Sequence, residues 1–410
     1  MKLEQEYDPR SNSLNAWRLT LALGVILSHS FGLTGHGLTG YQLFDEPAHQ
    51  LLRDVWVDGF FAISGFLIMS SWFNNPRPRA YFVARGLRIL PGLWVCLIVT
   101  AFVIAPIGMA LQGGSVSKLL LSTAPIEYVL KNSAVVMVQF DIGGTPSGVP
   151  WPHQWNGSLW TLIWEVLCYI GVAVLGIVGL LRRRWVIPGA LALALLWSAL
   201  IPSWVLSVIE APAGTQEHID AANDPETIAL LMQAIAARFA VMFLAGALLY
   251  QFRHVVPAQW SLVAVSVVVV LAASLLPNYR LAAAVPLAYA IIVSGALVKN
   301  EYLKLRTDLS YGVYIYAFPV QQLLILGGLG RINAILFAAL ATLATLPLAA
   351  LSWFLIEKPA LSLKSRLKRK SINPSADKQS EESSRFRRPV TDPLESEGPA
   401  KGRARSRDRG

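Results

Sequence analysis

The chain has 410 residues, 54% of them apolar and only 15% charged, with a formal net charge of +10. A soluble protein of this length could not cover so much apolar side chain with so little charge, and the disordered, collagenous, coiled-coil and disulfide-stapled classes are excluded for most of the chain as well. Residues 361–410 hold 14 Lys and Arg against 7 Asp and Glu, so the excess reports a basic tail and no nucleic-acid surface.

A helix crossing about 30 Å of hydrocarbon needs roughly 20 mostly apolar residues. Ten such segments follow in chain order, near 14–34, 54–73, 89–110, 157–181, 185–207, 228–250, 258–276, 281–298, 309–328 and 332–356. Cations gather in one set of short loops: Arg77, Arg79, Arg85 and Arg88, then Arg182 to Arg184, then Arg253, then Lys299, Lys304 and Arg306, and last the tail. The opposite loops hold only Arg53, Lys118, Lys131, Arg280 and Arg331. Cytoplasmic loops carry such an excess, which places both termini in the cytoplasm and demands an even number of spans. The expected fold is therefore all-α and polytopic. It comprises a cytoplasmic segment 1–13, a ten-helix membrane domain over 14–360, and a basic, disordered cytoplasmic tail over 361–410. Its expected place is the cell membrane, plasma or inner. Cys96 and Cys168 both lie in apolar runs, which leaves no disulfide framework and no metal site.

Ionisable residues inside a span are costly and call for a reason. The first segment carries Arg18 and His29. Eleven residues bring a helix about 20° past three full turns, so the two share a face about 16.5 Å apart along the axis. Arg18 is read either as snorkelling to headgroups or as a ligand for anions. His29 is either an interhelical hydrogen-bond partner or a base that takes a proton from a hydroxyl. In the second segment Asp58 either orients His29 or pairs with Arg53, while Gly59 and Gly65 permit close helix approach. Arg85 and Arg88 stand at i, i+3 where the third segment begins. They serve topology or, with Arg18, form a cluster of guanidiniums suited to phosphate oxygens.

The Gly-, Pro- and Trp-rich stretch 111–156 is expected to form an ordered outer cap or re-entrant loop. The fourth segment then brings Glu165, with Tyr169 at i+4 and tryptophans at the membrane edge. A carboxylate at that depth is protonated, paired or functional. Cys168 reads as packing. An acidic, polar loop near 208–227 follows the fifth segment. His36, His49, His153, His218 and His254 lie in loops or at helix ends, and the Ser115-x-x-Lys118 and Asn156-Gly-Ser158 matches lack supporting context.

Several stretches match one family in its order: Arg18 and His29 with ten residues between them, VWVDGFFAISGFLI (55–68), ARGLRILPGLW (84–94), SLWTLIWEVLCY (158–169), LSYGVYIYAFPVQ (309–321) and FLIEKPA (354–360). In these the chain resembles the membrane acyltransferase-3 family. The resemblance implies a ten-helix acyltransferase that moves an acyl group, usually acetyl, from cytoplasmic acyl-CoA onto a hydroxyl across the membrane. Acceptors in that family are surface polysaccharides, glycolipids and other carbohydrates. By the same resemblance His29 matches the family's essential histidine, Arg18 its paired arginine, and Arg85 with Arg88 its cytoplasmic arginine motif. Many relatives carry a histidine where Ala317 stands, so no second catalytic histidine is expected there.

The expected enzyme uses His29 as base, with Glu165 or Asp58 orienting or protonating, and Arg18, Arg85 and Arg88 holding the donor's phosphates. Acyl-CoA is a donor substrate rather than a resident cofactor. The expected partners are a carbohydrate or glycolipid acceptor and membrane lipids, without nucleic acid. The rival readings are a transporter or flippase of a lipid-linked glycan, disfavoured by the lack of internal repeats, and an inactive sensor.

Overall fold

The computed structural model describes residues 1–9, 11–34, 46–202, 204–205, 224–305 and 307–363. His36, His218, Arg306, most of the acidic loop near 208–227 and the tail beyond residue 363 lie outside the described residues. Met1–Ser362 form one compact unit and Leu363–Gly410 a second, of which only Leu363 is described.

Among the described residues the protein is all-helical, with isolated bridges in place of strands. The helices are α1 (Leu14–Leu33), α2 (Glu46–Asn74), α3 (Pro78–Leu111), α4 (Val116–Leu121), α5 (Ala124–Asn132), α6 (Leu159–Ile177), α7 (Val186–Leu200), α8 (Pro225–Gln251), α9 (Trp260–Ala273), α10 (Arg280–Leu297), α11 (Ser310–Leu326) and α12 (Ala334–Leu363). A helix occupies each of the ten predicted segments. Six of them, α1, α3, α6, α8, α10 and α12, are long and apolar enough to cross a membrane, while α7 and α9 are apolar but shorter. The starts of α2 and α3 run ahead of the predicted edges, since hydropathy follows only the apolar part of a helix. Pro78 sits in the first turn of α3, where its missing N–H and fixed φ do no harm. Arg85 and Arg88 thus lie within α3 instead of on a loop before it.

Close helix contact rests on small residues. The long seam between α2 and α8 is closed by Gly65 and Gly246. A Cβ on Gly65 would fall 1.9 Å from the carbonyl oxygen of Phe243, and one on Gly246 would fall 1.8 Å from that of Ala62. Helix α1 packs against α2, α11 and α12, so the Arg18–His29 face is enclosed by protein.

Proline shapes the middle of the bundle. Pro319 inside α11 cannot donate to the carbonyl of Ile315. That oxygen instead accepts the Asn156 side-chain amide at 2.8 Å and the Cys96 thiol at 3.2 Å. Asn156 is fully buried in this role, which disposes of the glycosylation motif. Two π-helical turns, Thr100–Ile104 and Trp353–Glu357, each precede a proline, Pro106 and Pro359.

The stretch 111–156 is an ordered cap. After α4 and α5, Asn132 ties the following backbone, donating to Gln139 O at 2.7 Å and accepting from Val138 N at 2.8 Å. Trp155 is fully buried, and its indole donates to Thr145 Oγ1 at 3.0 Å. The Gln322 amide of α11 donates to the carbonyls of Trp151 and Gln154 at 2.7 and 2.8 Å. At the other end, Leu3 N donates to Val256 O at 2.8 Å and Glu6 meets Lys299 at 2.7 Å. The N-terminal segment and two of the cation-bearing loops therefore share one end of the molecule.

Candidate active site

Two adjoining cavities lie beside the polar face of α1. The inner one, about 50 Å³, is lined by Arg18, Ser64, Glu165 and Ser310 and by apolar walls that include Phe60, Phe61 and Leu162. The outer one, about 450 Å³, is lined by His29 and residues of α2, α8, α10 and the 151–161 cap. The stripe deduced from helix periodicity thus looks onto space inside the protein.

At the inner end, the guanidiniums of Arg18 and Arg88 converge on Asp308, which precedes α11. Arg18 Nη1 bonds Asp308 Oδ2, and Arg88 Nη2 lies 2.5 Å from the same oxygen. Ser310 Oγ donates to Asp308 Oδ1 at 2.5 Å. Burial pushes the Asp308 carboxyl up, but Arg18 and Arg88 outweigh it and hold the pKa below the ordinary carboxylate value. Arg88 also faces Glu357 at 3.8 Å and lies 5.8 Å from the Tyr311 ring centroid. The π-helical turn Trp353–Glu357 carries Glu357 at its C-terminal end, and such turns recur at functional sites.

Arg85 is different. Its guanidinium lies 5.9 Å from the Tyr169 ring centroid, its Nε is buried without a hydrogen-bond partner, and it has no ion pair among the described residues. Tyr169 in turn donates to Glu165, whose Oε1 also accepts from Ser64 Oγ at 3.3 Å. Arg18, Arg85, Arg88 and Glu165 therefore gather around the inner end and its passage, as the sequence pattern suggests for the three arginines.

His29 is not with them. Its ring packs edge-on against Phe318 at 5.2 Å, and Nδ1 is buried without a hydrogen-bond partner. Neither Asp58 nor Glu165 orients it. Glu165 belongs to the inner passage, and Asp58 is consumed elsewhere: it receives Arg238 Nε at 2.7 Å, Arg280 Nε at 2.6 Å and the Tyr279 hydroxyl. Asp54, one turn earlier, meets Arg280 at 2.5 Å, Arg53 at 3.1 Å and Arg238 at 3.2 Å. Sequence reading weighed Asp58 against Arg53 and His29, yet its partners come from α8 and α10. Arg238 lies in the middle of the predicted segment 228–250, where the rule on ionisable residues in spans should have flagged it. Arg280, a loop cation by its sequence position, opens α10 with a side chain that is 4% exposed.

The remaining wall of the outer cavity combines aromatic rings, Trp151 and Trp160, with amides and hydroxyls such as Gln154, Asn278, Ser28 and Ser198. Ala317 is fully buried among Ala22, Ile26 and Val313, so this region of α11 is packing. Neither Cys96 nor Cys168 lines either of these two cavities. Ser115 caps α4, accepting from Lys118 N at 3.4 Å. Among the described residues no group of three or more His, Cys, Asp or Glu could hold a metal ion.

Residues 11–354 match the family described as an acyltransferase domain. The chain is similar to Nodulation protein 10 of Rhizobium leguminosarum bv. viciae, 28% identical over 363 residues that cover 87% of this chain and 95% of that protein. It is also similar to an O-acetyl transferase of Shigella phage Sf6, 26% identical over 376 residues that cover 86% and 97% of the two chains. No solved structure matches. The chain belongs to this acyltransferase family and is a multi-pass membrane acyltransferase.

Proposed function

We propose that this acyltransferase carries an acyl group, acetyl in the first place, from cytoplasmic acyl-CoA to a hydroxyl of a carbohydrate or glycolipid on the far side of the cell membrane. The observation that carries the reading is the pair of adjoining cavities on one face of α1, with Arg18 in the inner and His29 in the outer. Ten spans with both termini cytoplasmic fit it, since the N-terminal segment and the Arg253 and Lys299 loops share one end. The name of the phage relative supports acetyl as the group and oxygen as its acceptor. The planar amides, charged groups and two tryptophans around the outer cavity suit a sugar, which offers both hydroxyls and apolar ring faces.

The donor's phosphates meet Arg85 first, which of the three arginines at the inner end has no ion pair among the described residues. Arg18 and Arg88 exchange their shared carboxylate, Asp308, for phosphate oxygens, and Asp308 and Glu357 keep these cations neutralised when no donor is bound. The slender inner passage admits the donor's arm, and Glu165 and Ser64 offer hydrogen bonds along it. His29 then accepts the proton of the acceptor hydroxyl as the new C–O ester bond forms. The C–S bond of the thioester breaks, and His29 returns the proton to the departing thiolate. Holding donor and acceptor at the two ends of one path supplies the proximity that the bilayer otherwise denies them.

The test is the mass of ester-linked acyl groups on the glycans and glycolipids of producing cells. Cells carrying the wild-type chain should show an acetyl mass that is absent both without the gene and with His29→Ala at equal membrane abundance. Unaltered acetylation with His29→Ala would retire the assignment.

A further inference from the structure

Ser158, Thr161 and Tyr314 meet where the two cavities adjoin, and two of their three hydroxyls are spent. Thr161 and Tyr314, which line both cavities, place their hydroxyls 2.5 Å apart, and each reaches the carbonyl oxygen of Ser158, at 3.1 and 3.0 Å. The hydroxyl of Ser158 itself is buried without a hydrogen-bond partner among the described residues, and Ser158 lines the outer cavity together with His29. A buried hydroxyl left unpaired is costly and calls for a reason. We propose that the Ser158 hydroxyl is the donor that meets the charge developing on the acyl carbonyl oxygen, an inference that rests on the acyl-transfer reading above.

The turn that carries Ser158 is fastened to α11 by each of its three residues. Asn156 donates to Ile315 O at 2.8 Å and accepts from Ser158 N at 3.1 Å. Gly157 lies so close to the Phe318 ring that a Cβ there would fall 2.6 Å from Cε2. The Ser158 carbonyl receives the Tyr314 hydroxyl. His29 packs edge-on against the same Phe318 ring, so one phenyl contacts both the imidazole and the Asn156-Gly-Ser158 turn. The Ser158 backbone is thus fixed beside His29, while its side chain, held by no hydrogen bond, can turn about χ1 to a ligand in the cavity.

In the transfer, the acceptor oxygen bonds to the thioester carbon as its proton passes to His29, and the carbonyl π pair moves onto the carbonyl oxygen. Ser158 donates its O–H to that oxygen and keeps its own proton throughout. The pair returns as the C–S bond breaks, and the thiolate leaves with the proton from His29. A fixed donor in a water-excluded wall acts most strongly where charge appears only in the transition state. Thr161 and Tyr314 do not replace it, because their hydroxyls serve the Ser158 carbonyl and each other.

The experiment uses inverted membrane vesicles from the producing cells, which carry the native acceptor. They are supplied with acetyl-CoA or fluoroacetyl-CoA, and the base-labile esters are read by mass. Ser158→Ala removes a hydroxyl that no protein group holds, so its melting temperature in detergent should match the wild type. At saturating acetyl-CoA it should form ester about 10²- to 10³-fold more slowly, the loss for one such donor, with KM for acetyl-CoA unchanged. Fluorine draws charge off the oxyanion and weakens any hydrogen bond to it, so the fluoroacetyl-to-acetyl ratio should rise above that of the wild type. Ser158→Cys, the variant to use if Ser158→Ala fails to accumulate, keeps a weaker donor and should shift rate and ratio in the same directions. An unchanged rate overturns the proposal. So does a slower rate at the wild-type ratio, the mark of a residue that only binds acceptor or supports the fold. Formation of no ester from either donor by wild-type vesicles would instead overturn the acyl-transfer reading itself, and this inference with it.

Discussion

The inner and outer cavities are both lined by arginine and carboxylate, yet the charges are arranged differently. Around the outer cavity, Asp54 and Asp58 are each held by two or more guanidiniums, and Asp58 is fully buried with Tyr279 as a further donor. Around the inner end, one carboxylate oxygen of Asp308 serves both Arg18 and Arg88, Glu357 stands 3.8 Å from Arg88, and Arg85 has no ionic partner among the described residues. A saturated lattice fixes three helices against one another. An unsaturated cluster retains binding capacity for an incoming anion. Identical residue types therefore do scaffold work at one depth and, on the function proposed above, ligand work at the other, and counting charges in spans does not distinguish the two.

The sharpest way to break this contrast is at His29, which stands at the outer cavity outside the lattice. His29→Ala should lower the acyl-transfer rate by about 10²- to 10⁴-fold, the range for a positioned base, with the unfolding midpoint in detergent unchanged. Asp58→Ala should do the reverse. It leaves the Arg238 and Arg280 guanidiniums with Asp54 as their one shared carboxylate, so a loss of about 3 kcal/mol in stability, the low end for breaking a buried pair, is expected, seen as low membrane yield and a depressed melting temperature. A variant as stable as the wild type would mean that the lattice is not a scaffold. Gly246→Ala tests the seam beneath that lattice: its Cβ would meet the Ala62 carbonyl, and overpacking of this kind costs about 1–3 kcal/mol. Arg88→Lys probes the inner cluster most gently. Losing the planar fork should raise KM for acyl-CoA about 10-fold with kcat and melting temperature little altered. A fall in stability without a change in KM would move Arg88 into the scaffold class.

Helix existence and the polar face of α1 follow from local pattern, and both were readable from the chain. A run of apolar residues at spanning length becomes a helix because its backbone must satisfy itself in lipid, and the 11-residue spacing of Arg18 and His29 fixes their common face. The family motifs likewise point to Arg85 and Arg88. What escaped notice depends on contacts distant in sequence. Asp308 lies 290 residues from Arg18 and 220 from Arg88, in a short connection where a single aspartate carries no signal of its own. Glu357 stands in a quoted motif, but only the π-helical turn before Pro359 accompanies it to Arg88. Arg238 is the instructive omission, because its place amid an apolar run was sufficient warning. Asn156 misleads in the opposite direction: it resembles a glycosylation site and serves as the hydrogen-bond donor that Pro319 cannot be.

On the function proposed above, donor and acceptor stay on opposite sides of the membrane while the two cavities beside α1 bring them together. Sealed inverted vesicles test it directly. With [¹³C]acetyl-CoA supplied only to the outward-facing cytoplasmic surface, labelled ester should accumulate on acceptor enclosed in the lumen. It should vanish with His29→Ala while the vesicles remain sealed. Label appearing only on acceptor outside the vesicles, or inside them at the same rate with His29→Ala, would contradict the account.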